Sequence, residues 1–305
     1  MKVLIAVDGS AGSFAAVDQI GRVLGGETDE VALYCAPPEI RMRKQHPDAN
    51  ILARTQQGFA DAVFDEARKR LPDALRQRTK TIVGTRDPRQ GVVQEAEAWS
   101  ADVIAVGARG VSALERLLLG SVSRAIVHHS KIPVWVARKP DGEPRTTLNV
   151  LLACENPELG KTAAELLEKF TWPGDAQFAT VSVVESIFAG RVPEWLEQQS
   201  RGPEVEAMVQ AWAKEHEEDL QACRSSMQEF VGAMGPPLNQ CRTLVAEGEP
   251  ASEILSAIHA EKIDLAVIGS QHKRTFASMI LGSTSEAVLN HAGCSVLVVP
   301  QRNDS

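Results

Sequence analysis

The segment DVIAVG at residues 102–107 returns 162 positions later as DLAVIG at residues 264–269. Both copies run from an aspartate through four apolar residues to a glycine. Apolar runs without polar alternation are typical of strands buried on both faces of a parallel sheet. The tripeptide LGS repeats at the same offset, at residues 119–121 and 281–283. We therefore interpret the chain as two copies of one unit.

The two copies differ in length. VLIA at residues 3–6 matches VLLA at residues 150–153, and the offset there is 147. Because the offset later becomes 162, the second copy carries 15 additional residues. These residues must precede Pro250, which already matches Pro88 at the longer offset. The segment 188–235, rich in Glu, Gln and Ala, is the expected place for this helical insertion.

A short linker separates the copies. Residues 138–145, RKPDGEPR, contain two prolines, one glycine and five charges between two apolar runs. Such a composition is typical of a domain boundary. We predict a first domain at residues 1–137, a linker at residues 138–147 and a second domain at residues 148–301.

Ten apolar runs predict the strands of the two copies. They lie at residues 3–7, 31–35, 81–83, 103–106, 134–137, 150–153, 179–184, 243–246, 265–268 and 296–299. Amphipathic patterns between the runs predict helices, so strands and helices alternate. The predicted fold class is α/β, with two doubly wound parallel-sheet (Rossmann-like) halves of five strands each, related by internal duplication. Such sheets bind ligands beyond the carboxyl ends of their strands.

Composition excludes several classes of function. The 305-residue chain has a formal net charge of −8, and its longest basic runs, at residues 41–44 and 272–274, are interpreted as solvated loops. It therefore lacks the basic face that sequence-independent binding of nucleic acid needs, and its acidity disfavours an anionic membrane. No window of 18 apolar residues and no signal-like segment is found, so we expect a cytoplasmic protein.

Five cysteines are widely spaced, without a C-x-x-C pair. They are Cys35, Cys154, Cys223, Cys241 and Cys294. Disulfide frameworks and zinc sites need closer spacing, so reduced and mostly buried thiols are favoured.

A glycine-rich loop in the first copy has the features of a phosphate cradle. Gly107 and Gly110 are followed, after nine residues, by Gly120 and Ser121 and then by a helix pattern. Glycines let the backbone approach a phosphate, and a helix N-terminus offers unpaired N–H groups. The spacing matches neither the P-loop nor the G-x-G-x-x-G fingerprint. Asp8, directly after the first strand, is a ligand-facing carboxylate, part of a helix cap, or both.

The pattern Gly-x2-Gly-x9-Gly-Ser resembles the ATP-binding signature of the universal stress protein family. The contexts RLLLGSVSR at residues 116–124 and VLIAVDGS at residues 3–10 are also similar to that family. The resemblance covers both halves outside the linker and the insertion. It identifies the chain as a tandem member of the family and implies ATP as the cofactor, with Mg²⁺.

The resemblance also implies roles for individual residues. Ala6, Val7 and Asp8 would flank the adenosine, with the Asp8 carboxylate near the ribose or a metal-bound water. Cys35 would line the adenine slot through its backbone. The residues expected beneath the ribose and α-phosphate are Val106, Gly107 and Gly110. Those expected to hold the β- and γ-phosphates are Gly120, Ser121, Val122 and Ser123, with Arg109 in the same loop.

The second copy has diverged at this site. Its pattern is Gly269-x2-His272-x9-Gly282-Ser283, and Glu155 stands where the first copy has Asp8. Because His272 replaces Gly110, we expect one tightly bound ATP per chain, in the first half. Whether His272 contacts a ligand or only fills space stays open. If the second cradle binds anything, a small anion such as phosphate is expected.

The expected function is that of an ATP-binding stress-response protein in which nucleotide occupancy controls conformation or the binding of an unidentified protein partner. A slow ATPase or nucleotidyl-transfer enzyme of the same α/β class is one alternative, and a ligand-independent scaffold is another. No residue is assigned to catalysis, because the first cradle offers only Asp8, Ser121 and Ser123 as reactive side chains.

The last strands of the two halves are strongly apolar. Exposed strand edges invite pairing, and in the family that this chain resembles, these strands pair across a dimer. We therefore predict that residues 134–136 and 296–298 pair within the chain as a pseudo-dimer. Association of whole chains into a homodimer stays open.

Overall fold

A computed structural model describes residues 1–38, 48–110, 119–139, 147–185, 202–270, 273–275 and 278–301. The first half contributes five strands, β1 (Lys2–Ala6), β2 (Glu30–Cys35), β3 (Thr79–Val83), β4 (Val103–Gly107) and β5 (Val134–Ala137). Its helices are α1 (Ala11–Val23), α2 (Ala49–Arg70), the single-turn α3 (Asp73–Arg76), α4 (Pro88–Ala98) and α5 (Ser121–His129).

The second half repeats this order. Its strands are β6 (Asn149–Ala153), β7 (Gln177–Glu185), β8 (Arg242–Gly248), β9 (Leu265–Ser270), β10 (Lys273–Thr275), β11 (Ser278–Ile280) and β12 (Ser295–Pro300). Its helices are α6 (Pro157–Leu167), α7 (Pro203–Gly232), α8 (Pro250–Ala260) and α9 (Ser283–His291). All ten expected strands are present. The antiparallel hairpin β10–β11 was not expected, because its strands have only three residues each.

Ten strands form one continuous sheet in the order β3-β2-β1-β4-β5-β12-β9-β6-β7-β8. Within each half all pairs are parallel, and the strand order is the same when counted from the start of that half. The predicted fold class is confirmed.

The halves meet through β5 and β12, which pair antiparallel with Trp135 opposite Leu297. These two residues are separated by the 162-residue offset of the duplication, so the copies are related by a pseudo-two-fold axis at this pair. The expected intrachain pairing of the last strands is confirmed.

Helices cover both faces of the sheet, which explains the non-alternating strands. One face packs against α1, α2, α6 and α7, and the other against α4, α5, α8 and α9. Neighbouring residues of β1 point to opposite cores: Val3 and Ile5 belong to one and Leu4 to the other. The inner positions of a central strand are therefore buried, and an apolar residue is favoured at each.

The additional residues of the second copy lie between β7 and β8. The helix there, α7, has 30 residues, and its counterpart α2 has 22. Among the described residues, the second half thus lengthens an existing crossover helix. Residues 140–146 of the linker and 186–201 of the insertion lie outside the described part of the chain, and the domain boundaries stay predictions. No helix within the described ranges is both long and apolar enough to cross a bilayer.

Candidate functional site

The candidate site lies where strand order reverses. β1 has β2 on one side and β4 on the other, so the chain crosses over in opposite directions from this point. Crevices at such switch points are the usual ligand sites of open α/β sheets. Asp8 follows β1 and Gly107 ends β4, so both lie at this edge.

Asp8 and Gly110 are in close contact. Gly9 adopts φ of +82°, a left-handed conformation that favours glycine. Beyond it, the backbone N–H of Ser10 donates to Asp8 Oδ1 at 3.0 Å. A Cβ atom added at Gly110 would lie 2.5 Å from Asp8 Oδ2. The carboxylate therefore occupies the space that a side chain at residue 110 would need.

The glycine loop is packed backbone against backbone on the start of α1. A Cβ added at Gly107 would lie 2.4 Å from the carbonyl carbon of Gly12, and one added at Gly12 would lie 2.4 Å from the carbonyl oxygen of Arg109. The Ser10 hydroxyl also donates to the Arg109 carbonyl, at 3.3 Å. These contacts fix the loop relative to Asp8.

Helix α5 begins beside this loop. The N–H of its N-cap, Gly120, donates to the Ala108 carbonyl at 2.8 Å, and no side chain caps the helix. The first N–H groups of a helix have no partner within it, so Ser121, Val122 and Ser123 present an anion-binding terminus. Ser121 is exposed.

Ser123 has a different place from the one expected. Its side chain is buried, and its hydroxyl donates to the Gly107 carbonyl at 2.6 Å. The hydroxyl thus ties α5 to the glycine loop. Ser285 makes the same contact with Gly269 at 2.8 Å in the second half, as expected for a structural role.

Four further predicted residues lie at or next to the ends of β1, β2 and β4. Val7 and Val106 are buried, and the Val7 N–H donates to the Tyr34 carbonyl at 2.8 Å. Cys35 is fully buried, and burial raises the pKa of its thiol to about 12. Its thiol is therefore inert at neutral pH. Ala6 is half-buried at the end of β1.

The sequence interpretation missed Gly12. In the sequence, Gly12 is marked only as a small residue two positions after a helix N-cap. The backbone that it contacts, at Arg109, is almost 100 residues away in the chain. The helix cap considered for the stretch from Asp8 to Ser10 is present, and Ser10 forms it: its side chain accepts from the Ser13 N–H at 3.1 Å.

The corresponding crevice in the second half is open. A cavity of about 450 Å³ lies there, within the usual range for small ligands, and Cys154, Glu155 and Ser283 are among its lining residues. Among the described residues, a Cβ added at Gly269 would make only an ordinary contact, at 3.7 Å, and one at Gly282 would meet nothing within 4 Å. The close backbone packing of the first half is absent at these two glycines.

The turn after β6 also differs from its copy. Asn156 stands in place of Gly9 and has an extended backbone, with φ of −152°. Its side chain caps α6 by accepting from the Leu159 N–H at 3.1 Å, and Pro157 occupies the first helical position. A proline there costs nothing, because that N–H would be unpaired in any case. His272 lies outside the described residues.

A comparison with known families decides the assignment. The profile of the universal stress protein family matches residues 1–138 and 177–300. The chain belongs to the universal stress protein family. A universal stress protein from Mycolicibacterium smegmatis is 26% identical over 317 residues, covering 98% of this chain and 97% of the relative. This whole-length match fits a tandem universal stress protein.

Solved structures agree on the fold. A universal stress protein from Archaeoglobus fulgidus superposes with a TM-score of 0.61 at 21% identity, covering 99% of this chain and 98% of the other. A putative universal stress protein from Pseudomonas aeruginosa gives a TM-score of 0.57 at 15% identity, with coverages of 98% and 92%.

The donor set of this universal stress protein suits a metal only together with a ligand. Within the described ranges, no group of three or more His, Cys, Asp or Glu residues could hold a metal ion. Proteins commonly bind Mg²⁺ through one or two carboxylates, while the phosphates of a nucleotide provide further ligands. At this site, the carboxylate would be that of Asp8.

Proposed function

We propose that this universal stress protein binds ATP in its first half, and that nucleotide occupancy controls its conformation or its binding to a partner. The contact between Asp8 and Gly110, beside the uncapped start of α5, carries the proposal. It combines a carboxylate for the ribose, a loop without side chains for the phosphate path, and N–H donors for the terminal phosphates.

Magnesium fits the same arrangement. Asp8 would hold the ion directly or through water, and bound Mg²⁺ would neutralise phosphate charge. Gly107 and Gly110 would pass beneath the ribose and α-phosphate, and the N–H groups of residues 121–123 would face the β- and γ-phosphates. Arg109 is tied to the start of α1 through its carbonyl, which holds residues 107–110 beside Asp8.

Binding is favoured over catalysis. Among the described residues at the cradle, Asp8 is the one candidate base, and the Ser123 hydroxyl already donates to Gly107. A catalyst would need a base and a positioned nucleophile together. We therefore expect any ATP hydrolysis to be far slower than the roughly 10 s⁻¹ median of enzymes.

Calorimetry with Mg·ATP tests the proposal through two matched variants. A side chain at Gly120 would press on the Ala108 carbonyl, 3.3 Å from an added Cβ, whereas one at Gly282 has open space. We expect one site per chain, lost in Gly120→Val and retained in Gly282→Val. Two equivalent sites, or loss only in Gly282→Val, would contradict it.

The open cavity of the second half favours a second candidate function there. Gly282 and Ser283 at the start of α9 offer a helix terminus for an anion smaller than ATP. Titration with inorganic phosphate, followed by the NMR shifts of residues 282–285, tests this. Shifts at the first-half cradle alone would exclude it.

Mass spectrometry of the protein purified without added nucleotide distinguishes the proposed ATP binding from the remaining alternative, a scaffold that needs no ligand. Released ATP supports the proposed function. A ligand-free chain that also fails to bind added Mg·ATP would favour a scaffold that needs no ligand.

A further inference from the structure

A cavity of about 1450 Å³ lies between the two halves. Its first-half wall comes from α1 and the end of β5. Its second-half wall comes from α8, the end of α9 and the first residues of β9 and β12. None of the residues assigned above to ATP lines it. Spaces between domains are frequent sites of small-molecule binding.

The floor of this inter-half cavity is apolar. Phe14 and Trp135 from the first half, together with Ile258 and Ile263 from the second, are among its lining residues. Trp135 is 1% exposed, and its indole N–H donates to Gln19 Oε1 at 2.9 Å. An apolar group that enters the cavity would therefore meet ordered side chains from both halves.

The rim of the cavity is cationic, although the chain as a whole carries a net charge of −8. Arg22, Lys139 and Lys262 line it and are exposed. Of the two carboxylates among the described residues that line it, Asp18 accepts from Arg70 at 3.2 Å, and Asp264 accepts from the Asn149 N–H at 2.9 Å.

The internal duplication provides a control for this charge. At the offset of 162, three residues that line the cavity are more basic than their copies: His259 than Glu97, Lys262 than Ser100, and Lys139 than Gln301. Arg138 is likewise more basic than its copy Pro300, whereas Gly293 is less basic than its copy Lys131, so the residue at the cavity is the more basic one at four of these five positions. The fold does not require this, because Ser100 and Lys262 have nearly the same left-handed φ, 55° and 52°.

We propose that the inter-half cavity binds a small amphipathic anion, a carboxylate, sulfonate or phosphate attached to an apolar body. Positive charge in a concave apolar site attracts an anionic head, and the floor removes the apolar body from water. This site does not depend on ATP binding. A ligand here contacts both halves and therefore stabilises their contact.

Two fluorescent dyes test this chemistry. 8-Anilinonaphthalene-1-sulfonate carries the anionic head, and N-phenyl-1-naphthylamine is the same aromatic body without it. We expect saturable binding of the sulfonate, at one site per chain. The affinity for the neutral dye should be lower by a factor of about ten or more, because one charge-assisted contact is lost. Saturating Mg·ATP is expected to leave the sulfonate in place.

Variants taken from the chain's own copy locate the site. The double variant His259→Glu/Lys262→Ser installs the residues that the first half carries at these positions, and we expect it to weaken sulfonate binding at least about tenfold. Lys214→Glu is the control, because it makes a similar charge change on an exposed part of α7 that does not line the cavity.

Three results would overturn the proposal. They are equal affinity of the wild-type chain for both dyes, displacement of the sulfonate by Mg·ATP, and unchanged binding in the double variant. Melting temperatures of all variants establish that the fold is kept, and the comparison of the two dyes needs no variant.

Discussion

At Gly107 the end of β4 meets the start of α1 with no room for a side chain. A Cβ there would lie 2.4 Å from a backbone atom of Gly12, and backbone cannot move aside as a flexible side chain can. We expect Gly107→Ala to lower the free energy of unfolding by about 1–3 kcal/mol, the usual cost of overpacking. Urea denaturation measures it.

The duplication supplies the control for this substitution. Gly269 is the copy of Gly107, and its nearest neighbour would lie 3.7 Å from an added Cβ. We expect Gly269→Ala to leave the unfolding free energy nearly unchanged. Equal losses in both variants would show that the two crevices are packed alike.

Gly110→Ala probes the nucleotide site at the same scale. The added methyl group would displace the Asp8 carboxylate, a flexible side-chain end, so the loss of stability is small. If Asp8 binds the ribose or Mg²⁺, affinity for Mg·ATP falls about tenfold or more, because a charge-assisted hydrogen bond contributes about 1.5–3 kcal/mol. Calorimetry with Gly282→Ala as the control decides this, and unchanged affinity removes Asp8 from the site.

Thiol chemistry follows burial. Burial raises the pKa of Cys35 and Cys154 to about 12 and that of Cys241 and Cys294 to about 11. We expect a thiol reagent at pH 8 to modify these four only on unfolding, with reactivity appearing as the pH approaches 11. Counting modified thiols with and without denaturant measures this, and rapid native labelling of Cys35 would contradict it.

At the scale of elements, α5 and α9 face each other across the pseudo-two-fold axis. Arg124 donates to Glu286 and to Asn290, each at 2.8 Å, and His128 Nε2 lies 3.2 Å from Glu286. Arg124 and Glu286 are copies of one position, as are His128 and Asn290. Divergence of the two halves has therefore placed Arg124 in one half and Glu286 at the same position in the other. These opposite charges favour the ion pair between the halves.

A double-mutant cycle measures this complementarity. Both side chains are part-exposed, so the pair contributes only about 0.5–1 kcal/mol. We expect Arg124→Glu to destabilise the chain, and the added change Glu286→Arg to restore part of the loss because an ion pair forms again. Strictly additive effects of the two changes would show that they do not interact.

The central strands were predictable because they are buried on both faces, which makes their residues apolar with little interruption, whereas the edge strands β3 and β8 are part-exposed and gave shorter apolar runs. The hairpin β10–β11 is too short to give such a signal. The packing of Gly12 on Arg109 and the contact of the Ser123 hydroxyl with Gly107 depend on distant backbone, which no local periodicity encodes. The glycine motif was enough to locate the phosphate cradle in the sequence. The contacts that its individual backbone and side-chain groups make became visible only in the tertiary structure.

For the whole molecule, Gln19 connects the halves. Its Oε1 accepts from Trp135 Nε1 and from the Ser295 hydroxyl, both at 2.9 Å. The N–H of Arg138 donates to Ser295 Oγ at 3.0 Å, and the Arg138 guanidinium donates to the Leu289 and Cys294 carbonyls. The halves thus share buried polar groups as well as the pairing of β5 with β12.

We expect the two halves to tumble and unfold as one body. Trp135 is buried and packs edge-on against Phe170 of the second half, with ring centroids 5.7 Å apart. Trp135→Ala would remove this packing and leave Gln19 Oε1 with one donor fewer, at a cost of about 3–5 kcal/mol. The wild type should therefore give coincident urea transitions by circular dichroism and tryptophan fluorescence. The variant should unfold at lower urea, with the two probes separating as the halves lose their mutual stabilisation. NMR relaxation supplies an independent check, because wild-type halves that tumble with separate correlation times would contradict a single body.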